Sequence, residues 1–411
     1  MEYPRLRYVD AFPIETNNGQ MFALRDPNGI STETLLLSPH VFYLLQFFDG
    51  KHSIIDLQKK YKEAFDAFIS QKQLLEALQH LDKHFFLDNE SFSNRLQKNE
   101  EDFSTTPLRP AAHAGTSYED DPEKLKLQLA GYFASAKSAG FPEIQTKNPI
   151  RGLVVPHIDI RAGGLSYGRA YQELIERGGA DCYVILGTGH SGLQDLYSVI
   201  DKDFDTPLGA AKCDTAFIQQ LTKNYPRAKQ SEVLPHKTEH VIEFQLVFLK
   251  YIYNELLKNG ADFTFAPVLC SFSYHMLTMT QFERERKIIA EFSQALRKTI
   301  SRFDKRVCII SSVDFCHVGP RYGDQGKVTG SLLEKVKLFD HKMIQSIQQM
   351  DAAGYRDVVA QEKDRFRVCG YSSIYTMLSA LQSGKGELLD YSKAEVDEKQ
   401  STVTFASMAL D

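Results

Sequence analysis

Residues 152–160 read GLVVPHIDI. Leu153, Val154 and Val155 follow Gly152 with no polar residue between them, and the run ends at Pro156 and His157. An apolar run without alternation predicts a strand buried on both faces, because a strand with one wet face would alternate. The pattern recurs outward from this point. An amphipathic stretch, SYGRAYQELIERG (166–178), comes next, then DCYVILGTGH (181–190) and, much later, RVCIISSVDF (306–315). Buried strands separated by helical stretches predict an α/β fold in which helices flank a sheet.

Polar residues stand where these strands end. His157 closes the first and His190 the second; Asp314 closes the third, with His317 three residues on. Ligands of open α/β sheets bind in the crevice beyond the carboxyl ends of the strands, so side chains distant in sequence can converge there. Taken singly, each has an ordinary explanation. A loop histidine can serve as a hydrogen-bonding group, Asp314 can cap a turn, and Cys369 in FRVCGYSSI can pack as a small apolar residue. Recurrence at three strand ends is what points to a site. Two imidazoles with a thiolate or carboxylate suit iron, copper or zinc, and the residue types leave that choice open. His240, in TEHVIEFQL, is a further candidate, with Glu243 on the same helical face. The alternative for that pair is a helix start, with Thr238 as N-cap.

At 411 residues the chain exceeds what one core usually supports, which predicts two domains. Residues 1–92 read as a small α+β domain. The extended stretch MFALRD leads through a DPNG turn into TLLLSPHVFYLLQFFDG, where Ser38 suits an N-cap, Pro39 the first helical position and Gly50 the stop. SIIDLQKKYKEAF and SQKQLLEALQHLDKHF predict two more helices, and FFLDN closes the unit. Residues 93–106 turn polar and lose periodicity, which predicts a linker before the domain 107–411.

A formal net charge of -5 gives no footprint for a nucleic-acid backbone, and no apolar run is long enough to span a bilayer. The first residues lack the apolar core of a signal peptide, so a cytoplasmic location is expected. Cysteines at 182, 213, 270, 308, 316 and 369 show no paired spacing, so disulfides are not expected.

Several segments together resemble the Memo family, which includes the AmmeMemoRadiSam system protein B. They are RPAAHAGTSYEDDPEKL from Arg109, PH at 156–157, GTGH ending at His190, EHVIEFQL from Glu239, SSVDFCHVGPRYG from Ser311, VCGYSSI from Val368, and LLDYSKAE with STVTFASMAL. The resemblance implies a fold similar to class III extradiol dioxygenases. It also implies a metal triad of His157, His190 and Cys369 holding a single divalent ion, Fe(II) favoured over Cu or Zn. Asp314, His317 and His240 are then the catalytic residues, His317 as proton carrier, and Asp159 and Glu243 stand behind the ligands. This chain departs from the family pattern in PHIDI, where members have PHAGY, and in GTGHSG, where members have GPSH. Cys369 also replaces the carboxylate of ordinary extradiol enzymes, and a softer ligand favours copper or a different iron chemistry.

Residues 1–92 are similar to PqqD-like, winged-helix modules that recognise leader peptides, with LLLSPHVFYLLQFFDGKHSIIDL carrying the likeness. A plain helical packing domain is the competing reading, and the scarcity of clustered Lys and Arg argues against DNA. The fused arrangement implies a metal-dependent oxidoreductase acting on a peptide, modified protein or small molecule, in a pathway with a radical enzyme as partner. The alternatives are a non-catalytic peptide- or metal-binding protein and a zinc-dependent hydrolase.

Overall fold

The computed structural model describes residues 2–16, 19–26, 29–138, 148–230, 232–257 and 262–411. They divide into two compact units, 1–106 and 107–411. No helix among them is long and apolar enough to cross a membrane.

In the first unit β1 (Asp10–Thr16), β2 (Gly19–Arg25) and β3 (Leu35–Leu37) form an antiparallel sheet in that order. Helices Pro39–Leu45, Ile54–Phe65 and Gln71–Lys83 each begin behind a serine, Ser38, Ser53 or Ser70, whose hydroxyl accepts a first-turn N–H. Leu44, Leu57, Leu74, Leu78 and Leu81 share one core with Leu24, Leu35 and Leu37. Pro39 takes the first turn as the sequence predicts, but the helix ends at Leu45, well before Gly50. The central residues of the DPNG turn lie outside the described residues. The predicted linker is corrected: Glu90–Thr105 is a helix capped by Asn89, and Phe92, Leu96 and Phe103 recur along it at helical spacing.

The strands of the second unit are β4 (Leu108–Arg109), β5 (Gly152–Val155), β6 (Cys182–Thr188), β7 (Tyr197–Val199), β8 (Asp203–Phe204), β9 (Lys212–Cys213), β10 (Thr264–Cys270), β11 (Val307–Ser312), β12 (His317–Val318), β13 (Gly386–Glu395) and β14 (Thr402–Leu410). The main sheet runs β12-β14-β5-β11-β6-β10-β7, with β13 on β14 and β9 on β10. Its centre, β5-β11-β6-β10, is parallel, as buried apolar strands predict. Helices cover both faces, and the expected mixed α/β architecture holds.

Register positions the site. Ser312 lies beside both Val155 and Gly187, so the three central strands end level and release His157, Asp314 and His190 at one edge. Gly187 permits a close approach here: a Cβ on it would lie 2.2 Å from Val241 Cγ2, so only glycine lets helix His240–Tyr251 seat against β6.

Candidate metal centre

His157 leaves β5 buried, and its backbone constrains it first. Its N–H and that of Ile158 both donate to Asp314 Oδ1 at 3.1 Å. Its ring Nδ1 lies 3.0 Å from the Ser312 carbonyl oxygen. A carbonyl only accepts, so Nδ1 carries the hydrogen and Nε2 keeps its lone pair. That Nε2 is 3.3 Å from Cys369 Sγ. Burial, then the neighbouring His190, pushes the His157 imidazole well below its ordinary pKa, so it stands neutral as a ligand must.

His190 leaves β6 and is partly open to solvent. Its Nδ1 lies 3.0 and 3.1 Å from the two Glu239 oxygens, and its Nε2 is 3.3 Å from the same sulfur. Burial acts against the charge on Glu239, but His190 and His240 outweigh it and hold the carboxyl well below the usual range. Glu239 is therefore an acceptor for the Nδ1 hydrogen of His190. Burial acts against the charge on that imidazole, but Glu239 and then Cys369 outweigh it and hold it well above its ordinary pKa. Its Nε2 thus faces the sulfur with a hydrogen that a bound metal would displace.

Cys369 stands in the loop before helix Tyr371–Leu381. Its N–H donates to the Phe315 carbonyl at 3.1 Å, and the Gly370 N–H donates to the Asp314 carbonyl at 2.9 Å. The Thr188 hydroxyl donates to the Cys369 carbonyl at 3.2 Å. The sulfur thus meets two Nε2 atoms, one from each ring, and both rings are oriented from behind. A soft thiolate and two imidazoles within 4.8 Å of one another fit a single divalent ion.

The remaining predicted residues surround this triad. Asp314 Oδ2 is 3.6 Å from His157 Nε2. Burial raises its carboxyl to about 7 against the two backbone N–H donors, so it can hold or release a proton near neutrality. His317 sets its Nδ1 3.2 Å from the Phe315 carbonyl and its ring edge-on to Tyr322; burial lowers it to about 4. His240 stacks on His190 at 5.3 Å between ring centres and meets His157 edge-on at 5.4 Å. A cavity of about 320 Å3 opens beside Cys369, lined in part by Thr188, Ser271, Ser273 and Asp364.

Three expectations are corrected. Asp159 caps helix Ile160–Glu176 by accepting the Arg161 N–H, and its carboxylate pairs with Arg161 rather than with a ligand imidazole. Glu243 is buried and accepts from Arg109, Tyr118 and the Ala112 and His113 N–H groups, so it anchors the segment that opens this unit. The N-cap of helix His240–Tyr251 is Glu239, not Thr238. Glu239, Thr188 and Ser312 are the contributors that sequence reading missed. Only Glu239 left a signal, an acid immediately before a helix.

Residues 109–409 match the family model described as Memo-like protein. A MEMO1 family protein of Aquifex aeolicus is 28% identical over 414 residues, covering 99% of this chain and 99% of that protein. One from Methanopyrus kandleri is 28% identical over 289 residues, covering 69% of this chain and 91% of its own. One from Saccharolobus islandicus is 31% identical over 282 residues, covering 66% and 86%.

Proposed function

The chain belongs to the Memo-like family, and on that premise we propose that residues 107–411 form a metal-dependent oxidoreductase of the AmmeMemoRadiSam system protein B type. On this reading the unit is related to class III extradiol dioxygenases and takes Fe(II) at His157, His190 and Cys369. One observation carries it: two imidazoles with opposed anchors turn their Nε2 atoms to one sulfur, each at 3.3 Å. Bound iron supplies electron transfer between an organic substrate and dioxygen. The chain's own residues manage the protons. His317, kept neutral by burial, accepts one from a substrate hydroxyl or amine at Nε2, and Asp314 holds one at Oδ2 beside the ligands. The cavity beside Cys369 sets Phe272, Met276 and Val368 among its hydroxyl residues, which suits a largely apolar substrate group with a polar end.

Residues 1–92, within the first unit, supply peptide recognition as a PqqD-like, winged-helix module. Two features support this. Among the described residues β1 pairs only with β2, which leaves an edge for an added strand. Beside it a cavity of about 640 Å3 is lined by Val9, Phe22, Leu24, Phe42, Tyr43 and Phe65, a pocket for apolar peptide side chains. The substrate is accordingly a peptide or modified protein, in a pathway whose partner is a radical enzyme.

Metal content and oxygen uptake of protein purified without air test this reading. About one iron per chain is expected, with oxygen uptake lost in His157→Ala and lowered about 10²- to 10⁴-fold, at full metal content, in His317→Gln. Protein that binds no metal after reconstitution overturns the oxidoreductase and leaves a recognition protein. Turnover that persists without oxygen on a zinc-loaded sample would make it a hydrolase instead.

A further inference from the structure

Glu239 sits between two imidazoles. His190 Nδ1 and His240 Nδ1 each lie 3.0 Å from Oε1. The backbone N–H groups of the same two residues also reach this carboxylate, His190 at 3.1 Å from Oε2 and His240 at 3.1 Å from Oε1. His190, Glu239 and His240 are close enough together to suggest a second cation site. The amides argue against it. Two N–H dipoles end on the oxygens a cation would need, and present their positive ends to it. Four donors around one buried carboxylate make an acceptor node.

We infer that Glu239 is a positioning residue that locks His190 and His240 as one unit, each with Nδ1 turned to the carboxylate and Nε2 turned away from it. His190 then ligates through Nε2, and His240, stacked on it, offers Nε2 as a proton acceptor that is not itself a ligand. This deepens the proposed metal site and rests on it only for His190. One carboxylate couples a metal ligand to a neighbouring base, so disturbing it changes both.

The test uses the full chain and Co(II), titrated against a competing chelator, in wild type, Glu239→Gln, His190→Ala and the double variant. Glu239→Gln should weaken Co(II) binding about 10- to 100-fold while keeping the thiolate-to-cobalt absorption of Cys369. In the His190→Ala background the same change should alter affinity less than about 2-fold, since the carboxylate acts through that ring. Equal losses in both backgrounds would make Glu239 merely structural and overturn the proposal. Two cobalt ions per wild-type chain, falling to one in Glu239→Gln, would overturn it in favour of a second metal site. If Glu239→Gln does not fold, imidazole nitrogen NMR of the wild type decides: His240 should carry its hydrogen on Nδ1, and a hydrogen on Nε2 overturns the lock. That reading needs no metal, so wild type that binds no cobalt would defeat the metal reading and leave the His240 result to stand or fall separately.

Discussion

The two histidines of the triad look equivalent in the sequence, each following a buried strand, yet the protein holds them by different means. His157 is buried, and the hydrogen bonds that hold its backbone and its Nδ1 come from Asp314 and the β11 backbone. His190 is partly open, and its Nδ1 is held by a single side chain, Glu239, from the start of another helix. A backbone carbonyl cannot be mutated away, whereas a carboxylate can. The β5 side of the centre is therefore a property of the sheet, and the β6 side is a property of a few replaceable groups.

The largest effect that would break this comparison comes from deleting each ring. His157→Ala and His190→Ala should both lose about 100-fold or more in metal affinity, by titration, because each removes one of three donors. Their stabilities should differ. His157→Ala removes a buried ring and its hydrogen bond to the Ser312 carbonyl, leaves a cavity, and should lower unfolding stability by about 2–3 kcal/mol. His190→Ala should lower it by about 1 kcal/mol, since Glu239 keeps His240 and two amides. Equal losses by denaturant titration would mean that the two sides are held alike.

The same division explains what could be read beforehand. His157, His190, Asp314 and His317 were legible because strand ends are visible as the points where apolar runs stop, and a parallel sheet brings such points to one edge. Cys369 was legible only through family resemblance, since FRVCGYSSI carries no local mark of a ligand. Glu243 was misplaced for a physical reason: spacing along a helix reveals which residues share a face but not what that face meets. Arg109, far off in sequence, claims it. Asp159 was misplaced because an acid at a helix start serves two needs, and the local one, the cap, prevailed. The helix Glu90–Thr105 was hidden by its charged surface, although Asn89 and the spacing of Phe92, Leu96 and Phe103 were there to be found.

A second, smaller effect separates the sides through packing. Gly187→Ala would drive a methyl into Val241, which is buried and branched, and should lower stability by about 1–3 kcal/mol. The displaced helix begins at His240 and carries Glu239 with it, so metal affinity should fall as well, through His190. A stability loss with unchanged metal affinity would show that the seating of this helix does not set the β6 side.

The smallest expected effect decides to which side Cys369 belongs. Its N–H and that of Gly370 tie it to the backbone at 314–315, which is the His157 manner of holding. Its carbonyl accepts from the Thr188 hydroxyl, which is the His190 manner. Thr188→Val keeps the shape and removes that one donor, a hydrogen bond worth about 1 kcal/mol, so metal affinity should fall roughly 5-fold with little change in fold. Unchanged affinity in the titration would place Cys369 wholly with the sheet. The centre would then have two donors fixed by backbone and one, His190, on which adjustment of the metal through side chains depends.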